Sequence, residues 1–370
     1  VTGPSLESDI LELILETGRD TEVIQGGRVE DLMVRSFRAQ VESIAPYGAY
    51  VRHLGLDPAR ITQWQEIPPV PASAFKSHDL SAAPPGGPGE VIFETSGTTI
   101  SQRGRVRLSS TLLYYHSLLR TFSWNLLPDR GHLRAVVFGP PGAEATRSSL
   151  WFMVDCVIGE FSAPEPRYVV QHGEARWKVA DDAFREASSA GEPLLLIGTT
   201  LLFMAYFARL RLMNAAYRLP PGSRAMDTGG AKGLTTEFTR AEVAGAFQRH
   251  LGIPPSHLVN EYGMAEMASQ FYDGNLRAHL EGRTQQPGKR IPPWVRTRVL
   301  DPETLEEQPE GDVGLLVHYD LANVEIPLAI QTEDIGRRIG DRLILEGRLL
   351  GAEARGCSLS YERFLAENPA

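Results

Sequence analysis

The sequence predicts an α/β fold of layered sheets with a small antiparallel β subdomain, and three observations lead there. Short apolar runs alternate with helical stretches between residues 90 and 293. From residue 294 onward, short strands separated by turn residues follow one another. The first ~60 residues place apolar side chains at helical spacing. Strands alternating with helices imply buried, largely parallel sheets, whereas strands joined by short polar turns imply antiparallel pairing.

Taken in order, Leu6, Ile10, Leu13 and Ile14 share one helical face, and Val29, Leu32, Met33, Phe37 and Val41 share another. Ile67-Pro-Pro-Val-Pro ends any helix, because proline lacks an amide donor and restricts the residue before it. A second breaker, Ala83-Pro-Pro-Gly-Gly-Pro-Gly, ends at residue 89 and closes an N-terminal helical segment, 1–89. Within the core, 90–293, strands are expected at Val91-Ile-Phe, Leu133 to Phe138, Leu194 to Ile197 and Arg224 to Asp227. Helices are expected at Leu112 to Leu126, Leu201 to Met213 and Phe238 to His250. Val295 to Leu300, Gly314 to Tyr319 and Arg342 to Leu345 form the β subdomain, 294–346, and residues 347–370 form a tail.

Composition narrows the functional classes. The 370 residues are 42% hydrophobic and carry a net charge of −9, so no global basic field gathers nucleic acid or anionic lipid. Basic residues cluster only locally, in Gln102-Arg103-Gly104-Arg105-Val106-Arg107. Cys156 and Cys357 are too few for a disulfide framework or a cysteine zinc site, which fits a reducing cytoplasm. No basic segment followed by an apolar one opens the sequence, so a secretory signal is not expected. The longest apolar stretch, Leu194 to Ala208, is shorter than a membrane span of ~20 residues.

Four segments carry chemistry. Glu94-Thr-Ser-Gly-Thr-Thr-Ile-Ser-Gln-Arg-Gly follows a strand and offers the hydroxyls of Thr95, Ser96, Thr98 and Thr99 around Gly97, with Arg103 beyond. Such a turn presents hydroxyls and amides to phosphate oxygens, although it is not a Walker A loop. Asn260-Glu-Tyr-Gly-Met-Ala-Glu-Met places Tyr262 to stack on a base and Glu266 to offer hard oxygens to Mg2+. Asp334, in Gln331-Thr-Glu-Asp-Ile-Gly, can accept hydrogen bonds from ribose hydroxyls, and Glu346-Gly-Arg348 closes a hairpin. Singly, each segment also fits an ordinary polar loop or turn.

Their order resembles the adenylate-forming superfamily of acyl-CoA synthetases, luciferases and peptide-synthetase adenylation domains, across residues 91–348. That family's phosphate loop, Thr-Ser-Gly-Thr-Thr-Gly-x-Pro-Lys-Gly, is similar to Thr95 to Gly104, with Ile100, Gln102 and Arg103 as departures. Its Gly-Gly element matches Gly229-Gly230. Its Tyr-Gly-x-Thr-Glu matches Tyr262 to Glu266, with Ala265 for threonine. Its Thr-Gly-Asp matches Thr332 to Asp334, with Glu333 for glycine, and its hinge Gly-Arg matches Gly347-Arg348. A narrower resemblance, to the LuxE-type acyl-protein synthetases, rests on Thr228-Gly-Gly-Ala-Lys-Gly, Asn260 to Asp273, Gln331 to Gly336, Arg355-Gly-Cys-Ser-Leu-Ser and Val70-Pro-Ala-Ser-Ala-Phe-Lys.

The resemblance implies an adenylate-forming large domain that binds ATP and Mg2+, with Thr95 to Thr99 and Arg103 on the phosphates. Gly229, Gly230 and Tyr262 would meet adenine, Asp334 and Arg348 the ribose, and Glu266 the metal. It further implies an acyl-adenylate, a thioester on a C-terminal cysteine, and delivery to a reductase or acyl carrier protein. The sequence stops 22 residues after Arg348 and holds no lysine beyond Lys289, so the mobile domain with its catalytic lysine is expected to be reduced to the tail. Either Lys232 or Arg103 replaces that lysine, or adenylation is weak or lost. Cys357 is the expected acyl carrier, helped by Arg355, while Cys156 reads as core. The alternative is an ATP-independent transferase that takes an acyl or aryl group from a coenzyme A thioester onto Cys357 and then to an acyl carrier protein.

Overall fold

Contacts divide the chain into two units that ignore chain order: one of Val1–Leu118, Gly263–Gln270 and Arg290–Ala370, the other of Leu119–Tyr262 and Phe271–Lys289. The computed structural model describes residues 5–21, 24, 27–95, 103–229 and 238–348. The N-terminal helical segment and the C-terminal β segment thus fall in the same unit.

In the first unit, Ser5 caps the helix Leu6–Glu16, accepting from the Ser8 amide. That helix buries Ile10, Leu13 and Ile14, and Arg28–Ser43 buries Val29, Leu32, Met33 and Phe37, as their spacing predicts. An antiparallel sheet joins Val295–Leu300, Gly314–Asp320, Ala329–Ile339 and Arg342–Arg348 in that order. The two-residue strand Val70–Pro71 pairs in parallel with Ala329–Ile339, Val70 opposite Ile330. Val91–Glu94 and Arg105–Leu108 form a separate antiparallel hairpin.

Ala329–Ile339 escapes the sequence reading as a strand, because Gln331-Thr-Glu-Asp interrupts apolar alternation. It forms because it is flanked on both sides by Gly314–Asp320 and Arg342–Arg348, so pairing overrides its weak pattern.

The second unit is built on parallel strands in the order Arg167–Tyr168, Arg134–Phe138, Leu194–Thr199, Arg224–Thr228 and Leu258–Tyr262. Phe271–Asp273 adds antiparallel at the end. Arg134–Phe138 and Leu194–Thr199 read as near-continuous apolar runs, as strands of a covered parallel sheet do. Thr199 caps Thr200–Leu212, and Thr239 with Glu242 forms a capping box on Arg240–Leu251. The core centres on Phe138, Phe203, Tyr206, Phe207 and Phe247, with the Phe138 and Phe203 rings 4.4 Å apart. Gly198 has no room for a side chain, since a Cβ there would lie 2.5 Å from Phe138 Cβ. No helix among the described residues is long and apolar enough to cross a membrane.

Candidate active site

In the first unit, the hairpin Val91–Glu94 with Arg105–Leu108 holds both ends of the hydroxyl-rich loop. The Thr95 amide donates to Gly104 O at 2.9 Å, and the Gly104 amide donates to Thr95 Oγ1 at 2.8 Å. Arg103 lies 3.4 Å from Glu94 Oε2 and is exposed. Gly104 is closely packed: a Cβ would sit 3.1 Å from both the Phe75 backbone carbon and Thr95 Cγ2. Ser96, Gly97, Thr98 and Thr99 lie outside the described residues, as do Gly230, Lys232 and Cys357.

Asp334 sits within a strand rather than in a turn, as the register partner of Arg348. Arg348 Nη2 is 2.5 Å from Glu333 Oε2, while its Nε is 4.0 Å from Asp334 Oδ1. Glu333, which stands where the resembled family has glycine, therefore takes the closer share of this cation. Thr332 donates to Leu316 O at 2.9 Å and accepts from the Asp334 amide at 3.0 Å, which fixes the strand around the carboxylate.

Glu266 is buried, 6% exposed. Its backbone is fixed by Asn323, whose Nδ2 donates to Glu266 O at 2.9 Å while its Oδ1 accepts from the Ala268 amide at 3.0 Å. Asp320 accepts from the Ser269 amide and hydroxyl, both at 2.8 Å. Burial raises the Asp320 carboxyl above its ordinary range, against those hydrogen bonds. Gln40 then clamps the loop after Asn323, donating to Asn323 O at 2.6 Å and Ile326 O at 2.7 Å and accepting from the Leu328 amide at 3.0 Å. An apolar recess walled by Val106, Leu108, Leu113, Met267 and Ile326 borders the same turn.

In the second unit, the carboxyl ends of adjacent parallel strands present Gly198-Thr199, Thr228-Gly229 and Glu261-Tyr262, the edge at which open α/β sheets bind ligands. Gly229 takes φ +73°, a backbone region that favours glycine. Tyr262 is half-buried, its ring centroid 5.6 Å from that of Phe271. Behind this edge lies a polar network that the sequence reading missed. Asp227 is fully buried and accepts from Thr200 Oγ1 at 2.7 Å, Arg240 Nη1 at 2.6 Å and Asn260 Nδ2 at 3.2 Å. Lys289 donates to Asn260 Oδ1 at 2.7 Å and to Asp273 Oδ1 at 3.0 Å. Thr228 donates to Glu261. The one available signal was Asp227 or Asn260 directly after an apolar pair, Ala225-Met226 or Leu258-Val259, within a strand.

Cys156 corrects an expectation: it is half-buried rather than core, and burial with Asp155 pushes its thiol up to about 11, so it is no nucleophile near neutral pH. Ser148 caps Ser149–Phe161, its side chain accepting from the Trp151 amide. Glu144 accepts from the His172 amide at 2.7 Å.

Chemically, the first unit offers a hydroxyl-flanked hairpin loop, a carboxylate–guanidinium pair and a buried carboxylate. The second offers a glycine turn and an aromatic ring at a strand edge. A family model described as "Acyl-protein synthetase, LuxE" matches residues 21–366. Two curated relatives, both named long-chain-fatty-acid–luciferin-component ligase, are 36% identical over 89 residues (Aliivibrio fischeri) and 36% identical over 122 residues (Vibrio harveyi). These matches cover 22% and 31% of this chain, and 24% and 30% of those relatives' length. A crystal structure of an open conformation of 2-hydroxyisobutyryl-CoA ligase, in complex with 2-HIB-AMP and CoA, matches 93% of this chain and 84% of its own at a TM-score of 0.64. At 12% identity this is a likeness of fold.

Proposed function

Because the chain belongs to the LuxE acyl-protein synthetase family, whose model spans residues 21–366, we propose that it activates a carboxylic acid as an acyl-adenylate and carries the acyl group as a thioester on Cys357. The observation that carries this reading is the register pairing of Asp334 with Arg348. A carboxylate that accepts from hydroxyls, beside a guanidinium that donates, is the donor–acceptor set a ribose requires. The pinned Thr95–Gly104 loop supports phosphate binding, and Gly229 with Tyr262 supports a role in holding adenine. Glu266 fits Mg2+ as a hard oxygen donor, since that ion is commonly held by one or two carboxylates plus substrate phosphates. When bound, Mg2+ would supply charge neutralisation at the phosphates.

In the proposed reaction, the carboxylate attacks the α-phosphorus and pyrophosphate leaves. The Cys357 thiolate then displaces AMP to form the thioester, and an acyl carrier protein or reductase accepts the acyl group. A long-chain fatty acid, the substrate in the names of the curated relatives, is the first acid to test. Replacement of the phosphate-loop lysine by Arg103, with Ile100 and Gln102 beside it, favours a second reading in which acyl-CoA is the donor. Intact-mass spectrometry after incubation with Mg·ATP and acids, and separately with acyl-CoAs, decides between them. Acylation from acid and ATP that is lost in Cys357→Ser supports the first reading. Acylation from acyl-CoA alone supports the second, and none from either donor overturns both.

A further inference from the structure

The carboxyl edge of the parallel strands in the second unit is underlain by a hydrogen-bonded network that the proposed chemistry does not use. Glu261 pairs with Thr228, so Gly229 and Tyr262 stand side by side as the next residues of neighbouring strands. Gly229 takes φ +73° and is exposed, and no described atom lies within 4 Å of the place its Cβ would occupy. One face of this turn is therefore bare backbone, against which a flat ring can lie closely.

What holds the turn is beneath it. Thr200, the first residue of the helix Thr200–Leu212, is 6% exposed, and its Oγ1 lies 2.7 Å from Gly229 O and 2.7 Å from Asp227 Oδ2. A hydroxyl carries one proton, so it donates to one of these acceptors at a time. Asp227 Oδ2 has two further donors, Arg240 Nη1 at 2.6 Å and Asn260 Nδ2 at 3.2 Å. Asn260 is held in that orientation because Lys289 donates to its Oδ1 at 2.7 Å. Gly229 O has no further donor among the described residues. Arg240 and Asn260 serve the carboxylate, which leaves the Thr200 proton for the Gly229 carbonyl. Because a peptide unit is planar, fixing that oxygen fixes the plane of the turn.

Resting on the adenylation reading, in which Gly229 and Tyr262 hold adenine, we propose that Thr200 is a positioning residue for the adenine half of ATP. Its hydroxyl, backed by Asp227, Arg240 and Asn260, pins the Gly229 carbonyl and keeps the open face of the turn set for the purine ring. Thr200 touches no reacting atom and transfers no proton.

The test is ATP–pyrophosphate exchange by the full chain, with ATP and pyrophosphate varied separately, in wild type, Thr200→Val, Thr200→Ser and the control Thr17→Val. Thr17 is also buried and donates to Leu13 O at 2.6 Å, so the control removes a comparable hydroxyl–carbonyl bond in the other unit. Thr200→Val keeps the shape and removes the donor. Its KM for ATP is expected to rise about tenfold, with kcat and the KM for pyrophosphate within about twofold of wild type. Thr200→Ser should restore the wild-type KM, and Thr17→Val should leave it unchanged. If Thr200→Val does not fold, Thr200→Cys, whose thiol is a weak donor, takes its place with the same expected direction. A wild-type KM for ATP in the folded variant, a fall in kcat at unchanged KM, an equal rise in Thr17→Val, or a KM that Thr200→Ser does not restore overturns the inference alone. Absence of exchange in the wild type with every acid, alongside labelling by acyl-CoA, overturns the adenylation reading and the inference together.

Discussion

Asn323 holds the Glu266 backbone from both sides of its amide group, donating to Glu266 O at 2.9 Å and accepting from the Ala268 amide at 3.0 Å. Asn323→Ala leaves two buried backbone groups without that partner. A loss of about 3 kcal/mol is expected in urea unfolding. ATP–pyrophosphate exchange should also need more Mg2+ to reach half its maximum, because the carboxylate is no longer fixed. An unchanged Mg2+ requirement would show that Asn323 serves stability alone.

Gly104→Ala forces a methyl to within 3.1 Å of the Phe75 backbone carbon, which cannot rotate away as a side chain can. A cost of about 1–2 kcal/mol is expected, together with a raised KM for ATP. Chemical denaturation and exchange kinetics measure the two separately.

Arg348→Ala and Asp334→Asn should each raise the KM for ATP about tenfold, with stability changing by less than about 1 kcal/mol. The pair is partly exposed, so solvent screens its contribution to folding. Thermal unfolding and nucleotide titration on the same preparations check both halves of this expectation.

Asp227→Ala removes a fully buried carboxylate from Thr200, Arg240 and Asn260. A destabilisation of about 3 kcal/mol is expected, with the double variant Asp227→Ala/Arg240→Ala less than additive because both changes break the same pair. Additive losses would mean that the network is not energetically coupled.

His318 is fully buried beside Thr297, and burial pushes its imidazole down to about 3. Above pH 6.5 the imidazole is neutral in the folded and unfolded chain, and it has no effect on stability. As pH falls below 6.5 the unfolded chain takes up a proton that the folded chain refuses, so stability is lost. The loss due to this group should reach about 2 kcal/mol at pH 5. The difference between wild type and His318→Asn, measured by unfolding at pH 7 and pH 5, isolates it from Asp320, whose raised carboxyl works in the opposite direction.

Much of the fold is legible in the order of the residues. The faces of Leu6–Glu16 and Arg28–Ser43, the helix Leu112–Leu126 and the parallel strands Arg134–Phe138 and Leu194–Thr199 follow from apolar spacing. Where local pattern fails, the causes are identifiable. Ala329–Ile339 lacks alternation and depends on its neighbours, and Cys156 sits in an apolar run whose helix turns it partly outward. Of the candidate site, Thr95, Arg103, Gly229, Tyr262, Glu266, Asp334 and Arg348 stand out by motif. Asp227, Gln40, Asn323 and Lys289 do not, because nothing near them in sequence marks their partners.

The sequence by itself determined the fold class, the order of the chemical segments and which faces are buried, because burial repeats every 2 or 3.6 residues and any short window contains it. Only the tertiary structure decided that Glu333 competes with Asp334 for Arg348, that Gln40 reaches a loop 283 residues away, and that Phe75 closes on Gly104. Those meetings are fixed by strand register and chain closure across long separations, which no local pattern encodes.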